Sequence, residues 1–134
     1  MKSFACGGTI EPARFVKRST AADFTVLQAD ADAFPCGISQ RWAEVAPLVG
    51  AASAAGTSGG LIQVHQPGMS GEGHDSTVWL MVGSGGVTRG ALLMPDADGK
   101  GITCTTGKYY GAIADESGAA GEYIRVTPIS GILA

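Results

Sequence analysis

Gly56-Thr57-Ser58-Gly59-Gly60 carries the Gly-x-Ser-x-Gly spacing of a hydrolase nucleophile elbow. That chemistry needs the serine on a tight strand-to-helix turn, followed in chain order by an acid and a histidine. Here an Ala-rich stretch precedes Ser58 and a strand-like run follows it, and the next histidines are His65 and His74. With 21 glycines in 134 residues, such a spacing arises readily by chance. His65, Glu72, His74 and Asp75 are metal-ligand types, but no pair has the i, i+4 spacing of a helical zinc motif. The run Asp96-Ala97-Asp98-Gly99-Lys100-Gly101 begins like a calcium loop, yet lacks a fifth-position ligand and the closing glutamate. It reads better as a hairpin turn, with Asp98-Gly99 in the positions that require positive φ. Gly83-Ser84-Gly85-Gly86-Val87-Thr88-Arg89-Gly90 fits no phosphate-binding loop. No catalytic residue, metal site or cofactor is expected, and the chain is not read as an enzyme.

Cys6, Cys36 and Cys104 are odd in number and show no CxxC spacing, which argues against a disulfide framework or a structural zinc site. Cys36 and Cys104 sit in apolar, strand-like surroundings and are expected as buried thiols in a reducing compartment. Nine basic and twelve acidic residues give a formal charge of −3, with no cationic footprint for nucleic acid or an anionic membrane. The amino-terminal stretch has no apolar run resembling a signal peptide, and nothing approaches the ~20 apolar residues of a membrane span. Charged residues make up 16% of the chain, against the roughly 25% usual in soluble domains. So apolar and Gly-rich a chain fits either a tight all-β monomer or a protein whose surface is covered by partners.

The elements behind these residues are β throughout. Short β-branched or aliphatic runs alternate with Gly, Asp or Pro, and helical periodicity is almost absent. Strands are expected at 13–17, 25–29, 36–39, 61–66, 77–82, 91–94, 101–105, 109–114 and 122–128. Turns are expected at Ala22-Asp23, Asp98-Gly99 and Ser117-Gly118. One short helical turn is possible at Gln40–Val45, with Ser39 as N-cap and Pro47 as terminator. Residues 1–12 read as an extended arm and 13–134 as a single small β-barrel domain, with a loop excursion around 46–76. A Gly-Ile or Gly-x-Ile pattern followed by Ser or Ala also echoes between the halves. Arg14-Phe15-Val16-Lys17, an acidic turn and Cys36-Gly37-Ile38-Ser39 are answered by Arg89-Gly90-Ala91-Leu92-Leu93, Asp96 to Gly101 and Tyr110-Gly111-Ala112-Ile113-Ala114.

Three ordered segments carry a family resemblance. They are Gly8–Lys17 with Thr25–Ala31, Pro35–Gln40, and Arg89–Asp96 running on to Tyr110–Glu122. In this order they resemble the head decoration (cement) proteins of tailed bacteriophages, of the lambda type. The resemblance spans about two thirds of the chain and omits 45–76. It implies a β-tulip-like domain on the outer face of the capsid, assembled in the host bacterial cytoplasm. The implied partners are the major capsid protein and further copies of the chain, as a homotrimer or else a dimer. The arm residues Phe4, Thr9, Ile10, Glu11 and Pro12 are then candidates for capsid binding, because an arm too poor in apolar residues to fold alone can order as an added strand. Arg14, Trp42, Tyr109, Tyr110, Glu116 and Arg125 are candidates for the interface between copies. A rival reading is a carbohydrate- or receptor-binding β-sandwich module of a phage particle, with Trp42, Trp79, Tyr109 and Tyr110 as an aromatic platform.

Overall fold

Every described run of aliphatic and β-branched residues becomes a strand, because such side chains pack well on a pleated, half-buried surface. The structure, a computed structural model, describes residues 2–8, 10–21, 23–39, 61–66 and 78–134, without the side chains of 2–4, 61–63 and 65. Within them lie β1 (Lys2–Cys6), β2 (Phe15–Arg18), β3 (Thr25–Gln28), β4 (Gly37–Ser39) and β5 (Leu61–His65). The second half follows with β6 (Val78–Met81), β7 (Leu92–Pro95), β8 (Gly101–Thr103), β9 (Tyr109–Ala114) and β10 (Tyr123–Ile132). The fold is all-β, with no helix among the described residues. The helical turn expected at Gln40–Val45 and most of the 46–76 excursion lie outside them.

The first five strands close a barrel in the order β1-β3-β2-β4-β5, and the last five form a curled sheet in the order β6-β10-β9-β7-β8. A parallel bridge, Val82 to Gly101, brings the two edges of that sheet together at one point. Followed around the ring, the two units have the same connectivity and the same register. Cys6 pairs with Val26 in the first, as Val82 meets Gly101 in the second. Phe15 pairs with Ile38 as Leu92 pairs with Ile113. Val16 opposite Gln28 corresponds to Leu93 opposite Thr103, and Ser39 opposite Val64 to Ala114 opposite Val126. The chain is therefore two copies of one five-stranded unit. The echo between Gly37-Ile38-Ser39 and Ala112-Ile113-Ala114 is the trace of it in sequence.

Backbone conformation repeats as well. Ala13, Phe24 and Asp32 have φ of 57°, 52° and 65°, and their counterparts Gly90, Gly99 and Gly107 have 88°, 76° and 85°. The first unit thus carries side chains in left-handed conformations that the second fills with glycine, which adopts them at no steric cost.

The units differ where they meet. In the barrel, Ala5 N donates directly to Phe24 O at 2.9 Å, and Ala5 and Cys6 of β1 pair with Thr25 and Val26 of β3. In the second unit the equivalent bond is split. Met81 N donates to Ala13 O (2.9 Å), and Gly99 O accepts from Phe15 N (2.8 Å). Residues 13–15 of the first unit are wedged between β6 and the β7–β8 turn, and they hold the second unit open on that side. The left-handed bend at Ala13 is what aims its carbonyl at Met81.

The packing follows from this. Cys6, Ile10, Val16, Val26, Cys36 and Val64 form the buried core of the barrel. Phe15, Ala29 and Ile38 of the first unit join Leu80, Leu93, Ala112 and Ile124 in the core of the second. Phe15 and Ile38 are cross-strand partners, so the wedge delivers an adjoining apolar pair from the barrel into its neighbour.

One expectation is corrected. The segment read as an extended arm is, at Lys2–Cys6, a barrel strand pairing with β3 and β5. Without it both neighbours would present open edges, which strands avoid. The arm does add itself to a sheet, but the sheet is that of its own chain. The other strands fall where expected, within a few residues at their ends.

Candidate interaction surfaces

The crossover from β1 to β2 is fastened by side chains from both ends. Arg14 Nη2 donates to Glu11 Oε2 (2.6 Å) and Nη1 to Pro12 O (3.0 Å). Ser39 Oγ donates to Glu11 O (2.7 Å) and accepts from Arg14 N (3.2 Å). Arg14 is 6% exposed, with its Nε buried and unpartnered. The expectation that Arg14 lies at an outer interface is corrected: its guanidinium ties down its own crossover. Ile10 is fully buried in the barrel core, Glu11 is exposed and Pro12 half-buried. Phe4 is placed by its backbone alone, opposite Ile62, and Thr9 lies outside the described residues.

The aromatic residues expected on one platform are dispersed. Trp79 is exposed on β6 opposite Arg125, whereas Tyr109 begins β9 opposite Ile132. From Arg125 to Ile132 along β10 is about 23 Å at roughly 3.3 Å per residue. Tyr109 meets Phe34 edge-on, with ring centroids 4.8 Å apart, and these two occupy equivalent positions in the two units. Tyr110 lies over Gly131, which explains the glycine there, since a Cβ would collide with the phenol. Neither tyrosine belongs to a core cluster. Trp42 lies outside the described residues.

Two features were not anticipated. Phe24, the last residue of the β2–β3 connection before β3, has 84% of its surface exposed, and Phe34 is half exposed between two open clefts. One cleft, of about 400 Å³, is lined by Arg18, Asp30 and Ala33; the other, of about 300 Å³, by Arg18, Pro35 and Ser130. An aromatic directly after the Asp23 turn signal, where glycine or asparagine is favoured, was the available clue to Phe24.

Polar chemistry is consumed locally. Arg125 donates from both its backbone N and its Nε to Glu116 Oε2, each at 2.9 Å. The bonds to Arg125 hold the Glu116 carboxyl below its ordinary value, so these two interface candidates are partners of each other. Asp96 Oδ1 accepts from Asp98 N (2.8 Å) and Lys100 N (2.9 Å), so the run resembling a calcium loop is a carboxylate-capped hairpin turn. Cys6, Cys36 and Cys104 are buried free thiols, pushed up in pKa by desolvation. No group of three or more His, Cys, Asp or Glu able to hold a metal occurs among the described residues. Ser58, Glu72, His74 and Asp75 fall outside them.

No family model matches the chain, and no curated protein does. Among solved structures it is similar to the N base of the head fiber of bacteriophage phi29. The TM-score is 0.63 at 14% identity, over 96% of this chain and 92% of that one. The two share a fold. That likeness extends over both five-stranded units, so the paired arrangement as well as the single unit has a counterpart in a solved structure.

Proposed function

We propose that this chain is a structural protein of a tailed-phage particle that binds the outer face of the capsid and braces it, without turning over a substrate. The observation that carries the reading is a fold shared across nearly the whole length with a phage head-fiber base. The three ordered motifs that resemble head decoration proteins point to the same location by an independent route. Low charge, apolar composition and exposed aromatics at Phe24, Phe34, Trp79 and Tyr123 suit a protein that gains its stability at contacts. The partners in this reading are the major capsid protein and other copies of the chain, with a trimer as the leading stoichiometry. Many weak contacts held on a lattice add up to a durable coat.

The test is co-sedimentation of the purified chain with expanded capsids lacking it, followed by heating. Saturable binding and a raised temperature of shell disruption are expected. An absence of binding at tens of micromolar protein, on shells shown to be intact and expanded, would refute the reading.

A further inference from the structure

The outer face of the first unit is covered inside the chain, and the same face of the second is not. Phe15 and Ile38 are both fully buried against the second unit. Their counterparts Leu92 and Ile113, with Met94 and Ile102 beside them on the outer face, are only partly buried. What covers the first face includes the β7–β8 turn, whose Gly99 packs against Phe15 O, Ala29 O and Gln28 Cγ. The counterpart of Gly99 is Phe24, which touches no such surface and is 84% exposed.

Phe24 is also costly where it stands. A bulky residue at φ 52° is strained, and a solvated phenyl ring gains nothing in return. The equivalent position in the second unit is a glycine, the residue such a bend favours. One contact made within the chain therefore leaves both of its halves unmatched at the chain's two ends: a covering turn on the first unit and an uncovered face on the second.

We infer that a second copy of this chain docks head to tail, its Asp23-Phe24 turn seated on the Leu92–Ile113 face of the C-terminal unit. The interface repeats between copies the relation that the two units already have within one. Because β1 and β3 pair directly, the first unit has no slot for a wedge, and the contact is an apposition of surfaces. Such an interface is heterologous, so it propagates into a closed ring or an open filament according to the rotation between copies. The inference rests on the self-association part of the proposed function and is independent of shell binding.

Phe24→Gly tests it without endangering the fold, because it installs the residue found at the equivalent bend. Leu92→Asp, with Met94→Asp as a second choice if the first fails to fold, tests the opposite surface. By sedimentation velocity the wild type is expected to be oligomeric, and each variant monomeric, with affinity reduced at least about thirty-fold. An equimolar mixture of the two variants retains one intact pair of surfaces and should yield a dimer and nothing larger. Oligomers that persist in both variants would overturn the inference while leaving self-association standing. A monomeric wild type at hundreds of micromolar would overturn it too, and capsid co-sedimentation would then report separately on the proposed function. A mixture that stays monomeric would refute the head-to-tail pairing.

Discussion

Replacing Phe15 by alanine removes the side chain on which the joint between the units depends. Phe15 is fully buried, lies beside Pro35 and Gly111, and belongs to the core of the second unit although it begins a strand of the first. Truncating a phenylalanine in such a setting costs about 3–5 kcal/mol, from lost transfer energy and from the cavity left behind. Whole-domain stabilities are about 5–15 kcal/mol, so the loss is a large share of the total. With a urea m-value of roughly 2 kcal/mol per molar, the unfolding midpoint should fall by about 2 M. The control is Leu92→Ala at the equivalent position, measured at a concentration where the chain is monomeric. Leu92 is only partly buried, so the expected loss there is only about 1–2 kcal/mol. Hydrogen exchange at the Met81 amide, which donates to Ala13 O, should accelerate in Phe15→Ala more than exchange inside the barrel. If the two alanine variants lose the same stability, or Phe15→Ala loses under about 1 kcal/mol, the wedge is not what holds the units together.

Three further outcomes are expected. Gly111→Ala places a methyl group 2.6 Å from Pro35 Cγ and 2.7 Å from Phe15 Cε1, and should cost about 1–3 kcal/mol in denaturant melts; an unchanged midpoint would show that the joint yields easily. Asp96→Ala leaves the amides of Asp98 and Lys100 without their acceptor and should cost about 1–2 kcal/mol, whereas added calcium should leave the wild-type melting temperature unmoved. The depressed pKa of Glu116 means that its pair with Arg125 contributes above the unfolded value of about 4.3, a contribution lost as pH falls through the lower folded value. In Arg125→Met the Glu116 carboxyl should titrate nearer its ordinary value by NMR, and an unaltered titration curve would show that the arginine is not the cause.

Strand identity was legible because alternation and turn chemistry are local properties. β9 at Tyr109–Ala114 coincides with its expected bounds, and the turn expected at Asp98-Gly99 forms, with the positive φ taken by Gly99 alone and not by Asp98. The duplication was half legible. The isoleucines Ile38 and Ile113 mark the equivalent strands, but the register identity exists only in pairings between distant residues. β1 was misread because Lys2–Cys6 carries no apolar alternation, and its strand character comes from the edges of β3 and β5 that it closes. Arg14 was misassigned for a related reason: a charged residue is read as solvent-facing unless its partners are known, and Ser39, one of them, lies far along the chain. The exposure of Phe24 and Phe34 is not legible in sequence, because an isolated aromatic in a connection is buried or solvated according to which distant strands pack beside it.

Two units with one register also create a hazard during folding. β6 of one chain has the correct polarity and partners to enter the barrel in place of β1, and β1 could pair with β10. Exchange of equivalent strands, within a chain or between crowded chains, is the characteristic misfolding route of repeated architectures. The wedge counters it by making the units unequal. A barrel that wrongly acquired β6 would place Met81 where Ala5 bonds to Phe24, while its own 13–15 segment lost the slot that Met81 and Gly99 provide. During synthesis that segment also emerges before the strands it separates, so the second unit closes around a template already present.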